Sequence, residues 1–423
     1  MERKVREELL KWYRDVNRKI LFLYGSRSVG KTYSVIELGN NKYRNIAYFD
    51  CFNNKDLDLI INNTNKLDKL IQKLSLYSNE SIFENDTLLV FDNCYDAKLI
   101  NNLKIFAKYP NSYHVIIISS RKDILNDIKG EEFKYLCMYP MDFEEFVLNS
   151  DKKQLVDFIK DSFETMQPMP FHQMALDLYD DYLITGGFPE VVNAYFNNCP
   201  YSLIESLKNK IIDIYKSDIS IHGDYINIIK SYEILDSLAY QLTKENKKFQ
   251  YAIIREGARS KDYESSINSL TVNNLINRSF KLSDVKSPLK SNIDLDNFKV
   301  YSIDCGLLYT NLHLNRNKLL QDLDIKKTLI ENNCANTLMM NGFNLYYYQS
   351  DGKSSVTFVI QDKKGKIIPI EINNPKSLKS KSLGIFQSKY SIPLSIKISE
   401  DNFTKKKNNI VIPCYAMFCL KDI

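Results

Sequence analysis

Gly25-Ser26-Arg27-Ser28-Val29-Gly30-Lys31-Thr32 spells G-x-x-x-x-G-K-T, and the reading of this octet decides the fold of what surrounds it. The run Lys19-Ile20-Leu21-Phe22-Leu23-Tyr24 before it reads as a buried strand, and Thr32 onward as the start of a helix. A glycine-bearing loop between a strand and a helix is the setting of a phosphate-binding loop. Consecutive backbone N–H groups and the positive end of the helix wrap an anion there. Lys31 is expected to reach the β- and γ-phosphates, and the Thr32 hydroxyl to ligate Mg²⁺. Gly25 and Gly30 stand where backbone has to approach oxygen atoms closely. The expected nucleotide contacts are Gly25, Ser26, Arg27, Ser28, Val29, Gly30, Lys31, Thr32 and Tyr33, with ATP and Mg²⁺ as the ligands. The octet does not separate ATP from GTP.

Downstream, Asn45 to Asp50, Asp86 to Asp92, His114 to Ser120 and Tyr135 to Tyr139 read as further strands. Continuous apolar strands alternating with helices imply a parallel sheet covered on both faces. Ligands then sit at the carboxyl ends of the strands. Asp92 ends such a strand and is the expected Walker B carboxylate, holding Mg²⁺ through water; with Lys31 it forms the expected catalytic pair. P-loop ATPases with an extra strand between the two Walker strands usually place a water-orienting Glu at the next position. Here that residue is Asn93, which cannot accept a proton, and losing a general base costs roughly 10²–10⁴ in rate. Asp96 is the nearest carboxylate that can substitute. Ser119 and Ser120 occupy the place of a polar γ-phosphate sensor, or else open a loop or cap a helix. Arg121 follows them without an assignable role.

The chain of 423 residues has room for two or three domains, and its 44% hydrophobic and 26% charged residues suit water-surrounded cores. No stretch approaches the ~18 consecutive apolar residues of a membrane span, and the N-terminus opens a charged amphipathic helix without a signal-peptide core. The eight cysteines show no C-x-x-C pair, so reduced, mostly buried thiols and a cytoplasmic location are expected. The net charge of +5 does not by itself imply nucleic acid.

Beyond the Walker segments, four blocks follow in order. Tyr139-Pro140-Met141-Asp142-Phe143-Glu144-Glu145-Phe146 is similar to an "hPLsFxEF" block, and Gly186-Gly187-Phe188-Pro189-Glu190 to "GGxPE". Tyr215-Lys216-Ser217-Asp218-Ile219 is similar to "YxxDI", and Phe298 to Leu308 to "fKlYxxDxGLL". With the P-loop, these make the chain resemble the bacterial and archaeal AAA-type P-loop ATPases that carry a C-terminal domain of unknown function with a restriction-endonuclease-like, PD-(D/E)XK core. The resemblance implies an α/β chain in four parts. These are a parallel-sheet AAA-type ATPase domain over 1–148, a helical lid or linker over 149–225, a winged-helix-like domain over 226–296, and a nuclease-like domain over 297–423. The Gly186-Gly187-Phe188-Pro189 break reads as a turn between helices, with Pro189 in a first helical turn, or as a lid contact to nucleotide.

Tyr251 to Phe280 resembles a helix-turn-helix, with Ser260 as a cap, Tyr263, Ile267 and Leu270 on one face, and Arg278 to Leu282 as a wing strand. Arg255, Arg259, Lys261 and Arg278 can contact phosphates, although winged helices also serve as protein-interaction modules. In the C-terminal part, Thr357 stands where nuclease relatives carry Asp, and Asn373 where they carry Lys. Glu331 and Glu371 alone remain, a poor set for holding a metal and activating water, so the nuclease-like site is expected to be inactive. Residues 351–409 hold 12 Lys and no Arg against 5 Asp or Glu, a net of +7 that can attach DNA or RNA electrostatically or simply face solvent. Lys405-Lys406-Lys407 reads as a loop tip. The expected function is an ATP–Mg²⁺-binding ATPase, slow or stimulated by a partner, with hydrolysis coupled to rearrangement of the winged-helix and nuclease-like parts. Non-hydrolysing nucleotide-dependent interaction with a protein partner, and a nucleic-acid-binding effector, are the competing readings.

Overall fold

Five strands lie in the amino-terminal part of the chain: β1 (Ile20–Tyr24), β2 (Asn45–Asp50), β3 (Thr87–Asp92), β4 (His114–Ser119) and β5 (Phe133–Cys137). The computed structural model describes residues 1–109, 112–128, 130–222, 225–314, 322–350, 354–373 and 381–422. Contacts divide the chain into two compact units, Glu2–Tyr139 with Val272–Asn274, and Pro140–Thr271 with Leu275–Ile423 and Met1.

In the amino-terminal unit the five strands pair in the order β2-β3-β4-β1-β5, every pair parallel. Every residue of β3 and β4 is buried, as strands covered on both faces require. Phe49 of β2 stacks on Phe91 of β3 with ring centroids 4.8 Å apart, inside a core that also holds Phe22 and Ile117. The covering helices include α1 (Val5–Arg14), α2 (Lys31–Lys42), α3 (Lys55–Asn62), α4 (Leu67–Ser78) and α5 (Ala97–Asn102). The expected fifth strand lies two residues earlier than its sequence reading, because Phe133 is buried at its start whereas Tyr135 is 41% exposed.

Val5, Leu9 and Trp12 form the buried stripe of α1, and Trp12 Nε1 donates to the Lys19 carbonyl at 2.7 Å. Beside Trp12, the ring of His114 meets Tyr13, Trp12 and Tyr43 edge-on. Arg18 hydrogen-bonds its Nε2, and its Nδ1 lies 2.8 Å from the Tyr43 hydroxyl. Burial, with the Arg18 charge adding to it, lowers the imidazole from 6.5 to about 4. The folded ring is neutral, so its contribution is complete above pH 6.5 and is lost as pH falls toward 4. The expected loss is about 2 kcal/mol, the full shift being discounted for solvent screening. Melting of the wild type followed by Trp12 fluorescence between pH 7 and 4.5 will show this slope, and His114→Gln will flatten it.

The carboxy-terminal unit begins with α6 (Phe143–Leu148), α7 (Leu155–Thr165), α8 (His172–Thr185), α9 (Pro189–Phe196), α10 (Tyr201–His222) and α11 (Tyr225–Leu242). Then come the four-residue α12 (Tyr251–Ile254) and α13 (Ser260–Val272), whose buried face is Tyr263, Ser266, Ile267 and Leu270. Ser260 is the first helical residue of α13 rather than its cap. The strand after it, β6 (Ile276–Leu282), forms an antiparallel hairpin with β7 (Ile293–Ser302).

This hairpin joins a larger sheet. With β8 (Tyr346–Gln349), β9 (Ser355–Gln361), β10 (Ile367–Ile372), β11 (Ser395–Ser399), β12 (Thr404–Lys406) and β13 (Asn409–Pro413) the order is β12-β13-β11-β10-β9-β8-β6-β7. The expected boundary at 296/297 therefore falls inside β7, and that at 148/149 follows α6, nine residues beyond the end of the amino-terminal unit. Helices α14 (Cys305–Asn311), α15 (Leu323–Met340) and α16 (Lys381–Tyr390) complete the unit. Lys405 and Lys406 lie in the edge strand β12, paired with Ile410 and Asn409, not at a loop tip; Lys407 makes the turn with φ +53°. Lys353, Lys376 and Lys379 of the basic stretch lie outside the described residues.

Three of the sequence blocks meet in one buried knot. Asp304 caps α14 by accepting from Leu307 N–H at 2.9 Å, and its other oxygen accepts from Gly187 N–H at 2.7 Å. Met141 N–H donates to the Gly187 carbonyl at 2.7 Å, and the Tyr182 hydroxyl donates to the Met141 carbonyl at 2.9 Å. A Cβ on Gly187 would stand 2.0 Å from the Met141 oxygen, and one on Gly306 2.4 Å from the Thr185 oxygen. Pro189 sits in the first turn of α9, and Phe188 packs edge-on against Tyr215 of the third block. Their residue types serve close packing between distant segments.

Candidate functional site

The loop between β1 and α2 turns through left-handed backbone at Ser28 (φ +64°) and Gly30 (φ +93°). A Cβ at Gly25 would lie 2.0 Å from the Met138 carbonyl, so only glycine lets β1 end against the residue after β5. Helix α2 starts at Lys31 with no side-chain cap and no acidic residue in its first turn, leaving its positive end to an anion. Arg3 donates to the Val29 carbonyl at 2.6 Å and the Tyr139 carbonyl at 2.8 Å, tying the chain start to the loop. Lys31 is 8% exposed, and its ammonium donates to the carbonyls of Gly25 and Ser26, both at 2.8 Å, which centres it in the loop.

Strand register brings the end of β3 to the start of α2. Thr32 Oγ1 donates to Asp92 Oδ2 at 2.6 Å, across 60 residues of sequence. Asp92 is buried, and its Oδ1 accepts from Asn93 N–H at 2.7 Å. The Tyr48 hydroxyl, on neighbouring β2, donates to Asp92 Oδ2 at 3.0 Å. Burial first, then the Asp92 charge, pushes the Tyr48 phenol well above its usual range, so it remains a donor. A hydroxyl and a carboxylate oxygen in contact are hard donors that fit Mg²⁺, and Thr32 and Asp92 are the residues that would hold it. When bound, that ion would offset phosphate charge.

Other expected residues are engaged differently. Ser119 is completely buried and its hydroxyl accepts from Arg121 N–H at 3.2 Å, inside the turn after β4. The Ser120 hydroxyl instead lies 3.1 Å from that of Tyr95, to which Arg27 of the loop donates at 2.7 Å. Tyr33 is 63% exposed on α2. Asp96 caps α5 by accepting from Lys98 N–H at 2.7 Å. Arg121 is paired with Asp123 through Nε–Oδ1 at 2.8 Å. Tyr48 and Tyr95 escaped the sequence reading, since their roles come from strand-end register and no local motif marks them.

The remaining candidates lie in the carboxy-terminal unit. Glu331, on α15, is buried and accepts from Lys247 at 2.7 Å, Lys299 at 3.3 Å and the Tyr301 hydroxyl at 2.8 Å. Glu371 sits in β10 opposite Lys397, and the Thr357 hydroxyl accepts from Ile372 N–H at 3.4 Å. Among the described residues no group of three or more His, Cys, Asp or Glu side chains could hold a metal ion. Arg255, Arg259 and Lys261 are exposed, whereas the Arg278 guanidinium lies over the rings of Phe280 and Phe298, at 5.1 and 5.7 Å, half-buried in β6. No helix among the described residues is long and apolar enough to cross a membrane.

Comparison with known proteins follows this division. Residues 176–318 and 326–417 match two families described only as domains of unknown function, DUF8612 and DUF4143. No curated protein matches the chain. Among solved structures, the Orc1 protein of Aeropyrum pernix in complex with DNA is 11% identical, with a TM-score of 0.24, covering 78% of this chain and 90% of that one. Residues 17–147 match the family described as AAA domain, and the loop, the strand order and the Thr32–Asp92 pair are those of an AAA-type P-loop nucleotide-binding domain.

Proposed function

We propose that the chain is an ATP–Mg²⁺-binding AAA-type ATPase with slow or partner-stimulated hydrolysis, coupled to rearrangement of winged-helix-like and nuclease-like parts. The contact of Thr32 Oγ1 with Asp92 Oδ2 carries the reading, because a P-loop hydroxyl and a strand-end carboxylate converge where a nucleotide's cation is needed. Lys31 neutralises the phosphates, the α2 amides orient them, and buried Asp92 fixes the hydroxyl. Asp92→Asn is expected to lower Mg²⁺-dependent ATP affinity about tenfold and phosphate release by roughly 10²-fold. Affinity measured in EDTA should change little. Titration calorimetry and phosphate release check this, and failure of the wild type to bind any purine triphosphate at millimolar concentration would sink the reading.

The order α15, antiparallel β8-β9-β10, α16, then β11 parallel to β10 supports the nuclease-like frame. Glu331 held by two lysines supports reading that frame as catalytically silent. A second reading, nucleotide binding without turnover, is favoured by Asn93 together with the capping role of Asp96.

A further inference from the structure

We infer that Asp50 supplies the water-polarising carboxylate that position 93 lacks, with Asn93 as the residue that orients it. The inference rests on the ATPase reading above and names a residue of that same site. Asp50 ends β2 as Asp92 ends β3, and the two are direct partners in the parallel register. Neighbouring strands lie roughly 4.8 Å apart, so their end residues face the same edge of the sheet. Asn93, in left-handed backbone at φ +54°, gives its N–H to Asp92 Oδ1 and its side-chain Nδ2 to Asp50 Oδ1 at 3.0 Å. The carboxylate can only accept here, so it fixes which way the Asn93 amide faces.

The other end of that amide turns toward the phosphate loop. Tyr95 Oη donates to Asn93 Oδ1 at 3.4 Å, and Arg27 of the loop donates to Tyr95 at 2.7 Å. A hydrogen-bonded chain thus runs from the loop through Tyr95 and Asn93 to Asp50, and a second from Thr32 through Asp92 to Asn93. Asp50 is exposed, and Phe52 N–H, at 3.1 Å, binds the same oxygen that Asn93 does. Its Oδ2 accepts no hydrogen bond among the described residues. The usual arrangement is a carboxylate on β3; here the carboxylate stands on β2 and the amide on β3.

In the reaction, the water oxygen forms a bond to the γ-phosphorus as the bond from that phosphorus to the β–γ bridging oxygen breaks. One water proton passes to the Asp50 carboxylate and from there to solvent, and ADP and phosphate leave.

The test uses the full chain, with ATP affinity by calorimetry and ATP–Mg²⁺ hydrolysis by phosphate release. Asp50→Asn is expected to cut turnover by roughly 10²-fold with ATP affinity within about threefold of wild type. The exchanged variant Asp50→Asn with Asn93→Glu, which returns a carboxylate to the edge from β3, is expected to regain at least wild-type turnover. Wild-type turnover in Asp50→Asn, failure of the exchange to recover it, or loss of ATP binding along with turnover would overturn the inference. ATP binding by the wild type without hydrolysis would overturn it too, leaving the nucleotide reading in place. Absence of ATP binding by the wild type would remove both.

Discussion

Lys31→Ala is expected to weaken ATP binding by roughly 5- to 10³-fold and to take phosphate release to background. The ammonium is almost buried and is held by two loop carbonyls, so it is already placed inside the anion cradle. On binding it exchanges those neutral acceptors for phosphate oxygens, and a hydrogen bond to a charged group contributes about 1.5–3 kcal/mol against about 1 for a neutral one. Two such exchanges, a net gain of about 1–4 kcal/mol, account for the expected loss. The loop itself is held by Gly25 against Met138 and by Arg3 on Val29, neither of which involves Lys31, so the variant should melt within a few degrees of wild type. Calorimetry with ATP and Mg²⁺ gives the affinity directly. A variant that binds within threefold of wild type would remove Lys31 from the site.

Glu331→Ala is expected to destabilise the carboxy-terminal unit by about 3–5 kcal/mol, without touching the nucleotide loop. Its carboxylate is the shared partner of Lys247 and Lys299, whose side chains are 12% and 15% exposed. Removing it leaves two adjacent ammonium groups with neither counter-charge nor full hydration. Lys299 runs over the ring of Tyr347 at 5.0 Å and cannot leave without breaking that packing. Burial alone would raise the Glu331 carboxyl, but Lys247, Lys299 and the Tyr301 hydroxyl outweigh it and hold the carboxyl far below the usual carboxylate range. A folded-state value below the unfolded one means the stabilisation is complete at neutral pH. It drains away as pH drops below the ordinary glutamate range near ~4.3. Urea unfolding followed by far-ultraviolet dichroism measures the loss at pH 7. Replacing both lysines by Met in the Glu331→Ala background should recover part of it, because the stranded charges are then gone.

The contrast between these two sites follows what a chain can disclose locally. The loop and the strands around it are legible because their signals are contiguous: an apolar run buried on both faces, then residues whose types suit an anion. Tyr48, Asp50 and Tyr95 carry no such signal. They reach Asp92 and Asn93 only because β2 and β3 align Asp50 with Asp92, a registration set by the whole sheet. The same limit applies to the blocks around Gly187 and Asp304. Their spacing marks them as special, yet only the fold reveals that a carboxylate, a tight turn and a backbone oxygen meet there. The pairing of β6 with β8 is equally hidden, since it joins Phe280 to Tyr346 in parallel with β7, α14, an undescribed stretch and α15 between them. Arg278 looked like a phosphate contact by type and is instead a guanidinium laid across two phenyl rings.

The terminal strand of the larger sheet has a consequence for how copies of the molecule meet. Thr404, Lys405 and Lys406 are all exposed, and among the described residues their strand is bonded along one side only. An open row of amides and carbonyls invites docking by an identical row from another molecule, and consecutive lysines oppose this by mutual repulsion. Charge that reads in isolation as attraction for polyanions thus has a second use, to discourage self-association.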